Sequence, residues 1–472
     1  MSFVEDVVEL VGGSRNPLVD SEPSWVRRPL GSMATVINGF AFKSQGFNEE
    51  TGHPIIRIRD VVRGITNTRY VGEVPDGYWV EDGDLLVGMD GDFNLGRWRG
   101  GRALLNQRVC KVVADPTKLL PEFLFYVLPG YLKLINDHTS STTVKHLSSR
   151  TLQAIPVPVP PLDTQWKIVG YIDELFSELD DGETALARAR ADLETYRKSL
   201  LKAAVTGELT ADWRAANPPA KTGEQLLQRI LADRKGRWEA DPKNKGKRYK
   251  EPRDPQVESP PDLPEGWTWS SLEQLSSPEQ SSISDGPFGS NLKSEHYQSF
   301  GPRVVRLQNI GQAGNFVDAK AHISAEHYAT LQRHHVKGGD LVVAILGEPL
   351  PRAVILPQDF GDGLVKADCI KVRIPVEDLT HLAWAWLNNP LAHAFVAHSV
   401  KGVGRPRIGM DQIKGMPIPL PGREELGALL LALSDGLEEL KQSTQRLDAF
   451  SNASRTLRQS ILAAAFRGEL VQ

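Results

Sequence analysis

Two kinds of hydrophobic pattern alternate along the chain. The runs IIRIRDVV (Ile55–Val62) and DLLVGM (Asp84–Met89) alternate or run apolar between Gly and Asp turns, which predicts short strands. Pro121–Leu128 predicts a helix opened by its proline. From Ile168 the period lengthens. Ile172, Leu179, Leu186, Leu193 and Leu200 stand seven apart, with a second row at Leu175, Gly182, Ala189, Tyr196 and Ala203. That is a heptad seam on one long helix. The same rows return near the C-terminus as Leu433, Leu440, Leu447, Ser454, Ile461 and Gly436, Ser443, Phe450, Leu457, Ala464. Helices of about 45 residues would each be about 67 Å long. Two seams of equal length predict antiparallel packing of one helix on the other, through Leu179, Leu186, Leu193 and Leu200 on the first and Leu440, Leu447, Leu457 and Ile461 on the second.

The helices belong to a repeat. PVPVPPLDTQ from Pro156 and PIPLPGREEL from Pro417 lie 261 positions apart, as do LLKAAVTGEL from Leu200 and ILAAAFRGEL from Ile461. Gly207 and Gly468 follow the last seam residues and are placed as helix stops. The segments before the prolines repeat more loosely. RVVRLQNI (Arg303–Ile310) parallels PIIRIRDV (Pro54–Val61), setting Arg306 against Arg57 and Asn309 against Asp60. GGDLVVAI (Gly338–Ile345) parallels DGDLLVGM (Asp82–Met89), and CIKV (Cys369–Val372) parallels VCKV (Val109–Val112). A period this long means two similar large units, not a solenoid. Trp25 and Trp267 each open one unit. Between the units, TGEQLLQRILADRKGRWEA from Thr222 predicts a Thr-capped helix, and Asp241–Pro261 reads as linker.

Composition narrows the class. With 472 residues, 40% hydrophobic and 24% charged, the chain has the make-up of a soluble protein of two to four domains. It has no apolar run long enough to cross a membrane and no basic, signal-like N-terminus, which sets a membrane location aside. Two cysteines far apart, Cys110 and Cys369, exclude a disulfide scaffold and fit buried thiols in a reducing cytoplasm. The net charge of −4 is low for a nucleic-acid binder, but it is unevenly spread: Asp163–Glu194 is acid-rich and Arg229–Arg253 strongly basic.

Catalytic motifs are weak. Asn217-Pro218-Pro219-Ala220 resembles the Asn-Pro-Pro-aromatic tetrad of amino-methyltransferases but lacks the ring that stacks on a flipped base. Lys401-Gly402-Val403-Gly404-Arg405 lacks the Lys and Ser/Thr of a phosphate loop. His322, His327, His334 and His335 have no metal-ligand spacing. Glu81-Asp82-Gly83-Asp84 is read as turn chemistry because Gly83-Asp84 returns as Gly339-Asp340 before a strand. What remains is cationic and polar. The first unit offers Lys43, Arg57, Arg59, Arg63, Arg69, Arg97, Arg99, Arg102, Thr143, Lys145 and His146. The second offers Lys293, Arg303, Arg306, Gln308, Asn309, Lys401, Arg405 and Arg407. Arginine reads guanine edges, Asn and Gln read adenine, and Lys and Ser/Thr suit phosphates.

The ordered set of motifs resembles the specificity subunit of type I restriction-modification enzymes. TTVKHLSSRTLQAIPVPVPPLDTQ (Thr142–Gln165) looks like the end of a first target-recognition domain running into a central helix, and LLKAAVTGELT (Leu200–Thr210) like that helix's end. TGEQLLQRI with the basic stretch and LPEGWTW (Leu263–Trp269) looks like the linker and the opening of a second domain. The resemblance implies an α+β chain: two α/β target-recognition domains joined by two long antiparallel coiled-coil helices in a pseudo-twofold arrangement. Its expected parts are an N-terminal segment (1–23), recognition domain 1 (24–160), central helix 1 (161–211), a helical and basic linker (212–262), recognition domain 2 (263–421) and helix 2 (422–472). It implies a non-catalytic subunit without a metal, recognising an asymmetric two-part site on double-stranded DNA. Two modification (methyltransferase) subunits and restriction/translocase subunits are the implied partners, and they would carry S-adenosylmethionine, ATP and Mg. The loops at Lys145/His146, Arg405/Arg407, Phe42–Phe47 and Ser284–Lys293 become the DNA-facing candidates, and the helix pair a spacer between half-sites. Rival readings are the same scaffold in a methylation-only or other defence system, an autonomous nuclease or methyltransferase, and a coiled-coil adaptor that binds no DNA.

Overall fold

The computed structural model describes residues 3–139, 145–218, 221–256, 261–397 and 406–471. They form two compact units: Met1–Arg188 with Leu447–Gln472, and Ala189–Arg446. These boundaries cut both long helices, Leu162–Thr206 and Arg423–Phe466, so each unit holds one half of each.

The first unit is built on a four-stranded antiparallel sheet in the order Ala34–Asn38, Val109–Ala114, Leu85–Gly88, Leu95–Arg97. A second sheet of five short strands includes one parallel pair, His53–Ile56 beside Ala103–Leu105. The second unit repeats the first sheet as Ile283–Asp285, Cys369–Val372, Leu341–Ala344, Arg352–Ile355. It repeats the parallel pair as Tyr297–Val305 beside Gly363–Val365. In each unit the strand after the opening tryptophan pairs antiparallel with the proline strand: Val26 opposite Val159, and Thr268 opposite Leu420. Proline cannot donate to a ladder, and a two-stranded ribbon needs few donors. The proline motif therefore ties the start of a unit to its end before the long helix begins.

Both predicted strands at the loosely repeated motif stop early, at Ile56 and Val305. The cause is the residue three positions past the matched arginine. The Asp60 carboxylate accepts the Arg57 N–H (2.9 Å), and the Asn309 amide oxygen accepts the Arg306 N–H (2.9 Å). Each caps a short 3-10 turn that takes the chain out of the sheet. The proline-opened helix runs past its predicted end, through Pro129 to His138, its inner face buried by Phe123, Leu124, Val127, Tyr131 and Ile135. Tertiary burial outweighs the one hydrogen bond a proline removes.

The stretch expected as linker is partly domain. Gly223–Ala240 is a helix with a reciprocal cap: Gln225 N–H donates to Thr222 Oγ1 (3.3 Å) and Thr222 N–H to Gln225 Oε1 (3.2 Å). Leu226 and Leu227 are buried in the second unit's core.

Within the first unit, Arg458 on the second long helix pairs with Asp180 on the first and lies 4.9 Å from the Phe176 ring, while Ser454 Oγ donates to Glu183 (3.2 Å). Within the second unit, Gly436 lies against Leu200, where a Cβ would sit 2.7 Å from Leu200 Cδ2. The start of each helix thus packs on the end of the other, so the pair is antiparallel. The seam differs from the predicted one. Leu200, Leu440 and Ile461 are buried and Leu179, Leu186, Leu193 and Leu447 half-buried, but Leu457 is 49% exposed and Phe450 65%. From Ser451 onward the inner companion row lies one residue further on, at Ser451, Arg458 and Ala465, whereas earlier in the helix the predicted Gly436 and Ser443 are half-buried and Thr444 is exposed. Positions three and four ahead share a helix face, so heptad spacing alone does not choose between them; the partner surface does. Gly207 (φ 75°) and Gly468 (φ 76°) both adopt the left-handed conformation expected of helix stops. At Gly468 its N–H bonds Ala465 O and the Glu469 N–H bonds Ala464 O, the doubly bonded helix end.

Candidate nucleic-acid interface

In each unit the chain returns from beyond the core helices to the end of a central strand. Leu147 N–H donates to Met89 O (2.7 Å), and Ile408 N–H to Ile345 O (3.0 Å). The preceding residues form isolated antiparallel bridges, Asp90 with His146 and Leu346 with Arg407. A third segment meets the same strand end: Met89 N–H donates to Arg108 O (2.9 Å) and Ile345 N–H to Asp368 O (3.0 Å). The backbone thus defines three matched positions, Asp90/Leu346, Arg108/Asp368 and His146/Arg407. Thr143, Lys401 and Arg405, on the segments leading to these points, lie outside the described residues.

The chemistry at the matched positions is rearranged. In the first unit the acid sits on the strand end: Asp90 accepts from His146 Nδ1 (2.7 Å) and faces Arg108 Nε (3.4 Å). In the second, Leu346 takes that place and the acid moves to Asp368, which holds Arg407 Nη1 at 3.0 Å. Arg407 also lies over the Phe288 ring at 5.6 Å. Each unit keeps an exposed cation held by a carboxylate, but from a different wall.

Other first-unit candidates divide by what holds them. Lys145 is turned inward, with Nζ on Asn136 O (2.6 Å) and Oδ1 (3.1 Å), so it ties the backbone before His146 to the end of the Pro121–His138 helix. Arg97 pairs with Glu122 (3.6 Å) and covers the Phe125 ring. Arg102 pairs with Glu81 (3.5 Å) and stacks on Trp79 at 4.2 Å. Arg59 lies 3.9 Å from Asp60. Lys43, Arg57 and Arg99 are exposed and make no ion pair with a described residue. Near Lys43, Phe40, Phe42, Tyr70 and Phe47 form a chain of edge-on ring contacts that fixes the loop.

In the second unit Asn309, expected to face DNA, is only 1% exposed. Besides capping Arg306 its amide donates to Val317 O (2.8 Å) and Ala319 O (2.9 Å), which leaves no donor for a base. Gln308 beside it is exposed. Arg306 donates to Ala319 O (3.2 Å) and lies over the Tyr297 ring at 5.8 Å; Lys366 approaches the same ring at 5.4 Å. Neither pairs with a described carboxylate. Lys293 pairs with Glu295 (3.5 Å). Sequence reasoning did not single out Asp90, Arg108, Phe288, Lys366 or Asp368. Their roles come from strand register, and Phe288 alone gave a local signal, an aromatic residue within a loop already marked.

Two buried features near these sites are structural. Burial pushes the Cys110 and Cys369 thiols up to about 12, which makes them poor nucleophiles. Asp84 and Asp340 accept the Glu81 and Lys337 N–H groups (2.8 and 3.0 Å), the turn role expected of the repeated Gly-Asp. Among the described residues no group of three or more His, Cys, Asp or Glu could hold a metal ion, and no helix is long and apolar enough to cross a membrane.

Two like units that present different cations on one backbone frame define a class, and the comparisons give it a family. Residues 23–187 match the family model for the type I restriction modification DNA specificity domain. The chain is 34% identical to the type I restriction enzyme EcoBI specificity subunit of Escherichia coli over 484 residues, spanning 100% of this chain and 91% of that one. It belongs to the type I restriction-modification specificity subunits. It is also 23% identical over 395 residues to the EcoDI specificity subunit of Escherichia coli, covering 82% of this chain and 78% of the relative. Its fold matches a solved chain described under complex assembly and conformational transition of the type I R-M system, with a TM-score of 0.58 at 16% identity, covering 95% and 99% of the two chains.

Proposed function

We propose that this chain selects the DNA sequence for a type I restriction-modification complex and is not itself catalytic. It recognises an asymmetric two-part site on duplex DNA, one half-site to each unit. Two modification subunits and restriction/translocase subunits assemble on it in the cytoplasm, and they carry S-adenosylmethionine, ATP and Mg. The observation that carries this reading is the rearranged trio: Asp90, Arg108 and His146 in one unit, and Leu346, Asp368 and Arg407 in the other, on matching backbone. A scaffold held constant while its exposed donors differ suits two readers of different base sequences. The names of the relatives point the same way.

Methylation mapping of DNA from cells that express the modification subunits with and without this chain tests the proposal. The expected result is methylation at a two-part motif that requires the chain. Methylation unchanged by its removal would sink the reading.

A further inference from the structure

We infer that Arg407 is a base-reading residue of the second unit, that it takes guanine through its major-groove edge, and that Asp368 is its positioning residue. This rests on the proposed DNA reading and adds a residue and a base to it. The guanidinium is held on two sides: Asp368 Oδ1 accepts from Nη1 at 3.0 Å, and the ring of Phe288, itself 47% exposed, lies 5.6 Å from Cζ. Its backbone is bridged to Leu346 at the end of a central strand. An arginine fixed in this way is ordered before DNA arrives, so little conformational entropy is lost on contact. Arginine carries five N–H donors, and one carboxylate contact leaves a planar fork that matches guanine O6 and N7.

The carboxylate also separates base reading from phosphate holding. An acid 3.0 Å away cancels much of the charge that a phosphate would attract, but leaves the direction of the remaining donors intact. Arg306 and Lys366 show the contrasting arrangement. They flank Tyr297 with no described carboxylate partner, which suits the sequence-independent attraction of a phosphate. Lys366 and Asp368 stand two residues apart on the turn before Cys369–Val372, so one turn supplies both kinds of contact.

The test uses the full chain assembled with its modification subunits, with selection of bound duplexes from a library randomised over the site and a salt titration of the selected site. The unaltered complex should select a two-part site with a guanine in one half. Arg407→Ala and Arg407→Lys should each lose preference at that single position by roughly tenfold or more, with the other half-site unchanged and the salt dependence nearly so. Asp368→Asn should weaken the same preference. Asp368 has a left-handed backbone (φ 74°), which asparagine tolerates, so this variant keeps the fold. Lys366→Ala should keep every base preference and lower the salt slope by about one. Arg407 variants that keep all base preferences, or that weaken binding uniformly with a reduced salt slope, overturn the inference. An unaltered complex with no sequence preference removes the proposed function as well.

Discussion

At the residue scale, the matched lysines Lys111 and Lys371 show how one position is solved twice. Lys111 Nζ meets Asp84 (3.0 Å) and Trp79 O (3.0 Å). Lys371 is 1% exposed, and its Nζ meets only backbone oxygens, His335 O at 2.9 Å and Arg333 O at 3.4 Å, because Arg373 has taken Asp340 with two bonds of 2.8 and 2.6 Å. Burial, with the Arg373 charge adding to it, pulls the Lys371 ammonium down from 10.5 to about 8. Below pH 8 the folded chain bears the cost of a buried charge. From about 8 to 10.5 the folded lysine is neutral while the unfolded one stays protonated, so the unfolded state binds more protons and stability rises with pH. Denaturant midpoints at pH 7, 8, 9 and 10 should therefore show the unaltered chain gaining on Lys371→Met by at most about 3 kcal/mol; a flat difference would contradict the burial argument. The two lysines were aligned from the sequence, but their opposite surroundings were not legible there. The same is true of Asp60 and Asn309, which the sequence pairs while only the fold reveals as turn caps.

At the scale of elements, helix ends were more legible than helix faces. A Gly-Glu-Leu exit is a local signal, and Gly207 and Gly468 are left-handed as that signal requires. The seam is not local, because which of two adjacent rows turns inward depends on the opposing surface, and Leu457 and Phe450 face outward as a result. Two glycines, one within the first long helix and one just past its end, separate these effects. Gly182 has open space around it, so Gly182→Ala should stabilise the chain by about 0.5–1 kcal/mol. Gly207→Ala should destabilise it by more than about 1 kcal/mol, since a Cβ there meets Pro264 Cγ at 2.6 Å and the φ is left-handed. Thermal unfolding of the two variants decides; equal shifts would mean that the end of the helix frays freely.

For the whole molecule, each long helix contributes one half to each unit, a division that falls at Arg188/Ala189 and Arg446/Leu447. Four residues inserted after Ala189 and four after Arg446 add about 6 Å of rise and about 40° of turn to each helix. Methylation mapping of this variant should show a changed gap between unchanged half-sites; altered half-site sequences would remove the helices from the role of spacer. The sequence by itself determined the repeat, the two long helices, their stops, the capped linker helix and the family, because these rest on local periodicity, capping and motif order. Only the tertiary structure decided which helix row is buried, that Asn309 is spent on the backbone, and that Asp368 and Phe288 hold Arg407. Those choices depend on residues distant in sequence that strand register brings together, and in chain order Phe288, Asp368 and Arg407 carry no mark of one another.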